Sequence, residues 1–258
     1  MITIDKLCYQ SGLRYVNAGE KFAFAVITLL LCVISRSAAC ACMVLAATGI
    51  LTVWKGGVPV FRYLRFLLLP LAFLILSTLA IVLNISRTPA DLFAIPLGGW
   101  YLTGSRQALL YALQLILTAL AAVSCLYFLS FSTPMPDLLN VLGRLRCPRL
   151  LLELMLLIYR FIFILMSVAS SITVSQHSRL GNRDYRTSLK SFGALASVLL
   201  LRSFKKANAL YDSMEARCYD GTIRVLNENF PPKPREILLI AGFDLLLLLF
   251  VLSERYLL

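Results

Sequence analysis

Two arginines carry the clearest chemistry in this 258-residue chain. Arg179 stands in the run Gln176-His177-Ser178-Arg179-Leu180-Gly181, and Arg217 in Met214-Glu215-Ala216-Arg217-Cys218-Tyr219-Asp220-Gly221. Each closes a long helix-compatible segment. A guanidinium is permanently charged, planar and forked, so it can bind a carboxylate through two parallel hydrogen bonds. A cation at a helix C-terminus also has a plainer use, which is to complement the partial negative charge of the last carbonyls. For one such arginine the plainer use suffices. Two helix ends of this kind, in Ser178-Arg179-Leu180 and Ala216-Arg217-Cys218, make a pair of contact sites the alternative to that plainer use.

Catalytic chemistry finds no support in the residue pattern. No Gly-x-x-x-x-Gly-Lys-[Ser/Thr] loop is present to cradle nucleotide phosphates. There is no His-Glu-x-x-His, no nucleophile elbow and no carboxylate cluster. The chain is therefore expected to be no enzyme, with no catalytic, cofactor-binding or metal-ligating set and no cofactor of its own. Seven cysteines have no metal spacing. In Cys40-Ala41-Cys42 a helix would turn the two thiols about 200° apart. The one histidine, His177, cannot build a metal site alone.

Asp244 is the sole acid inside the expected membrane spans, and no Lys or Arg lies deep in them. A permease that carries an ion itself usually places such groups near mid-membrane. The membrane part thus reads as scaffold more than translocation path. Asp244 has two readings. It either pairs or stays protonated inside this chain and holds the last helix, or it faces a partner subunit and helps dock it.

The elements that position these residues follow from composition. Apolar residues make up 59% of the chain and charged residues 15%, against roughly 45–50% and 25% in soluble domains. The surplus apolar surface must face lipid, which predicts an all-α integral membrane protein. A span needs about 20 mostly apolar residues. Five segments fit: 22–35 and 37–54, a hairpin around Arg36; then 63–85, 106–131 and 237–252. The first apolar run has no cleavage pattern after it and is expected to be the first span, not a signal peptide. Segment 89–104, with Pro96-Leu97-Gly98-Gly99, reads as a loop.

A sixth run, 150–169, is apolar enough to be taken for a span, but its flanks argue otherwise. Arg144, Arg146 and Arg149 precede it and Arg179, Arg183, Arg186 and Lys190 follow. Crossing would put one strongly basic flank outside, against the cytoplasmic excess of Lys and Arg. Glu153 and Arg160 would also be costly at the bilayer centre. Between positions 132 and 235 lie 15 of the 25 Lys and Arg, with seven Asp and Glu. That segment is therefore expected to be cytoplasmic. Counting back across the spans puts the N-terminus in the cytoplasm and the C-terminus outside. The net charge of +12 is accounted for by this bias and by anionic lipid, so no nucleic-acid partner is expected.

Three parts result: an N-terminal membrane part, 1–131; coupling helices, 132–235; and a last span, 236–258. Within the middle part, Thr133-Pro134 and Cys147-Pro148 each set up a helix start, leaving a short linking helix between them. A long helix is expected from Pro148 to about His177, stopped by Gly181-Asn182, and a second from about Thr187 to Ala216.

The run Met214–Gly221 resembles the second Ala-Arg-Gly motif of the transmembrane (T) component of energy-coupling factor (ECF) transporters, which commonly reads Ala-Met-x-Ala-Arg-Gly-Tyr-x-Gly. Gln176 to Gly181 resembles the first motif. Position 218 is Cys where the motif has Gly, and the first motif keeps only its arginine. Ile4-Asp5, Leu13-Arg14-Tyr15-Val16, Lys21, Thr133-Pro134 through Leu142-Gly143, and Tyr159-Arg160-Phe161-Ile162-Phe163 are similar to the CbiQ-like cobalt/nickel subgroup. The resemblance implies a cell-membrane coupling subunit of an ATP-driven cobalt or nickel importer. Its implied partners are two ATP-binding ECF ATPase subunits, which hydrolyse the ATP, and a CbiM-like substrate-binding membrane subunit, with or without a small accessory membrane subunit. A vitamin importer of the same type and, from another class, a lipid-modifying membrane enzyme are the competing readings. The missing His, Asp and Glu constellation speaks against the enzyme, and the nearly uncharged spans against a self-sufficient permease.

Overall fold

The computed structural model describes residues 3–82, 84–86, 93–97, 100–104, 106–220 and 231–257. The helices are α1 (Thr3–Gln10), α2 (Ala18–Ser35), α3 (Ala38–Ile50), α4 (Val60–Val82), α5 (Arg106–Ser132), α6 (Met135–Arg144), α7 (Arg149–Ser178), α8 (Tyr185–Glu215) and α9 (Pro234–Leu257). A π-helical turn, Leu51–Lys55, continues α3. Six of these stretches are long and apolar enough to cross a membrane: α2, α3 with its π-turn, α4, α5, α7 and α9 as far as Ser253. The chain is a multi-pass, all-α membrane protein. Five of the six coincide with the expected spans. The sixth is α7, which meets the same criteria of length and composition.

Segment 89–104, read as a loop, contains two strands. The strands β1 (Asn84–Ser86), β2 (Phe93–Leu97) and β3 (Trp100–Gly104) form a small antiparallel sheet in the order β1-β3-β2. Leu97 pairs with Trp100, and the sequence between them is Gly98-Gly99, the composition that two-residue hairpins favour. The flanking Phe, Ile, Trp and Tyr are strand formers. Reading Pro and Gly as loop punctuation overlooked a hairpin built around them.

The chain divides into two compact units: Met1–Leu138 with Asn229–Leu258, and Leu139–Glu228. In the first, α5 is the central post, packed against α1, α2, α3 and α4, while α9 lies on α2 and α3. Small side chains let the helices approach: Cys32, Cys40, Ala41, Val44, Ala121 and Cys125 are fully buried together with Leu247. Phe24 and Phe128 meet edge to face at 5.3 Å and tie α2 to α5.

Hydroxyl groups reinforce this apolar core. Ser124 of α5 is hydrogen-bonded to both Thr48 of α3 and, at 2.7 Å, the Tyr63 hydroxyl of α4. Pro70 inside α4 has no N–H to give the Phe66 carbonyl one turn back, and the Tyr127 hydroxyl of α5 donates to that carbonyl at 3.2 Å. Lys21 is buried, and its Nζ donates to Leu13 O at 3.1 Å and to Ser132 O at 2.7 Å. The ammonium thereby caps the last carbonyl of α5, which has no helical partner of its own, and ties it to the turn before α2.

The second unit holds α7 and α8. Neither has a buried residue. Of the two, α7 is apolar enough to cross a membrane, and an apolar helix this bare has to be covered by lipid or by another protein.

Candidate coupling surface

Both arginines sit in the same backbone device. At the end of α7, Gly181 N bonds Gln176 O at 2.8 Å and Leu180 N bonds His177 O at 3.1 Å. At the end of α8, Tyr219 N bonds Met214 O at 3.0 Å and Cys218 N bonds Glu215 O at 2.9 Å. This nested pair of bonds is the Schellman turn, which needs a left-handed residue just past the helix. Leu180, at φ 55°, and Cys218, at φ 56°, are those residues. Arg179 and Arg217 each occupy the position immediately before. The family-like Gly at the third motif position therefore has a physical meaning: it is the residue that adopts φ > 0 without strain.

Both guanidinium groups are exposed. Arg179 follows α7 directly, and α8 begins six residues after it. Arg217 lies two residues beyond α8, whose 31 residues span about 46 Å at 1.5 Å per residue. The structure therefore brings Ser178, Arg179 and Leu180 together at one end of α8, and Ala216, Arg217 and Cys218 at the other. The two triplets form two separate surfaces and not one site.

The helix pair is fastened near both ends. At the turn, Gln176 Nε2 donates to Ser191 O at 2.8 Å and Ser191 Oγ donates to Gly181 O at 2.7 Å. Gly181 permits this approach, because a Cβ there would lie 2.9 Å from both Gln176 O and Ser191 Oγ. At the other end the Tyr219 hydroxyl donates to Glu153 Oε2 at 2.7 Å. That bond pushes the phenol's pKa above its ordinary value. Glu153 looked merely costly in the sequence; in the fold it orients the residue two positions past Arg217. The contact links residues 66 apart, which no local pattern reveals.

Asp244 lies on the inward face of α9, in register with Ile240, Phe243 and the buried Leu247. Its Oδ1 is buried and has no hydrogen-bond partner among the described residues. Cys40 is buried and Cys42 exposed, so the two thiols diverge as helical geometry requires. His177 is exposed in the last turn of α7, with Asn182 Nδ2 3.0 Å from its Nε2.

The CbiQ family of cobalt transport proteins has a sequence model that matches residues 10–228. An uncharacterized protein of Methanocaldococcus jannaschii is 33% identical over 95% of this chain and 91% of its own length. The cobalt transport protein CbiQ of Salmonella typhimurium is 28% identical over 86% of this chain and 98% of its own length. A putative fused cobalt transport protein CbiMQ of Methanocorpusculum labreanum is 29% identical over 99% of this chain, which covers 43% of that longer protein.

Proposed function

We propose, on the premise that the chain belongs to the CbiQ family of cobalt transport proteins, that it is the transmembrane coupling subunit of an ECF-type importer of Co²⁺ or Ni²⁺. The metal ion is cargo and is bound elsewhere in the complex. The observation that carries the reading is the repeated turn: two exposed arginines, in identical helix-terminal geometry, at opposite ends of α8. A separation of about 46 Å suits two partner copies better than one ligand. Each arginine docks on a carboxylate-bearing groove of one of two ATPase subunits, where a guanidinium fork gives direction as well as charge. Closure of the ATPases then moves the rigid helix pair, a rigid-body switch, and the membrane part passes the motion to a substrate-binding subunit. The fused CbiMQ relative supports a CbiM-like protein in that role.

In this reading the N-terminus and the 132–235 segment are cytoplasmic, the C-terminus is outside, and α7 does not cross. Its basic flanks support that placement. The direct test is purification of the full tagged chain from its own membrane, followed by Co²⁺ uptake in vesicles. An ATPase in two copies and a second membrane protein should accompany the chain, and uptake should require ATP. Uptake by the chain alone, without ATP, would contradict the proposal.

A further inference from the structure

A cavity of about 410 Å³ opens in the membrane unit where four helix ends converge: the start of α2, the π-turn after α3, the end of α5 and the start of α9. Its charged liners, Lys21, Lys55 and Glu236, all stand within a turn of a helix end, and the deeper walls are apolar, formed by Phe24, Ala47, Phe128 and Phe243. Polarity therefore falls along the cavity. From Glu236 to Phe243 the descent along α9 is about 10 Å.

We propose that this cavity holds one acyl chain of an anionic phospholipid, with its phosphate beside the Lys55 ammonium. The charge balance supports an anionic head. Glu236 is already offset by Lys233, 3.9 Å away, whereas Lys55 is exposed at the rim with no ion pair among the described residues. The volume lies in the range of small-ligand sites. A water-soluble anion would leave the apolar depth unfilled, and a neutral lipid would leave Lys55 unused. No part of the coupling proposal is needed for this assignment.

A photo-crosslinking amino acid at position 47, in the full chain in its native membrane, tests the occupant. Irradiation should give an adduct of phospholipid mass. A crosslink to another protein would overturn the proposal. In purified material, phosphatidylglycerol should bind more tightly than phosphatidylcholine. Lys55→Gln, a change at an exposed position, should weaken the phosphatidylglycerol affinity about tenfold, as expected for loss of one charge-assisted contact. Ala47→Trp, which fills the cavity, should abolish the preference while leaving the annular lipid unchanged. Equal binding of both lipids, or unchanged affinity in both variants, would show that only bulk lipid is being read.

Discussion

Arg179 and Arg217 project from the protein with no ion-pair partner among the described residues, whereas Tyr219, two positions after Arg217, is fixed by Glu153. A charge that is displayed next to a residue that is held is what a docking contact requires, since less freedom is lost on binding. Tyr219→Phe removes the Glu153 bond without removing the ring. It should lower coupled uptake while leaving insertion and ATPase association intact, and the measurement is Co²⁺ moved per ATP hydrolysed. An unchanged ratio would make the bond a local detail. The sign of the pH effect follows from the raised phenol pKa. The donor stays protonated up to and beyond its ordinary value of 10.0, so the contact should persist across neutral pH and fail only in strong alkali. Asp244→Asn should assemble and transport near normally, because Asp244 shares the face of α9 that packs on the bundle with Phe243 and Leu247. Loss of the second membrane protein from that variant would show it to be a docking residue instead. The arginines were legible in the sequence because their chemistry is local to a helix end. Glu153 was not, because its partner is remote in the chain.

The terminal turns of α7 and α8 store strain that the sequence makes easy to relieve. A left-handed conformation costs a non-glycine residue about 1–2 kcal/mol. Cys218→Gly and Leu180→Gly should therefore each raise thermal stability of the helix pair by about 1 kcal/mol, read as a higher unfolding midpoint in detergent. A lower midpoint would mean that the Cys or Leu side chain contributes packing that outweighs the strain. Lys21 acts in the opposite sense. Lys21→Met would leave the Ser132 carbonyl without its donor, at a cost of about 1–3 kcal/mol, while Leu13 O keeps its bond from Val16 N; the end of α5 should loosen. At this scale the long helices were readable to within a few residues, because Pro148 starts one and Gly181 follows its stop. Helix α1 was not, since eight residues make little more than two turns, too short a run to stand out in the sequence. The sheet between α4 and α5 was missed for a different reason: glycine marks both loops and hairpins, and only the partner strand decides.

For the whole molecule, membrane insertion was fixed by composition, but the fate of α7 was not. Its apolar length argues for crossing and its basic flanks argue against. Single cysteines placed at Met135 and Asn182, one on either side of α7, should both react with an impermeant thiol reagent only from the cytoplasm. Labelling from opposite sides would make α7 a sixth span and reverse the placement of both arginines, which lie between α7 and α9. The exposed, unburied faces of α7 and α8 are where the proposed ATPase contacts can be tested. The measurement that bears most directly on this is native mass spectrometry of the purified complex, carrying Arg179→Glu, Arg217→Glu or both. Charge reversal at a buried interfacial pair costs at least the 2–5 kcal/mol of losing one partner, enough to release a subunit. Two ATPase copies in the parent, one in each single variant and none in the double variant are the predicted result. Two copies in all four proteins would contradict the assignment of these arginines as the coupling contacts.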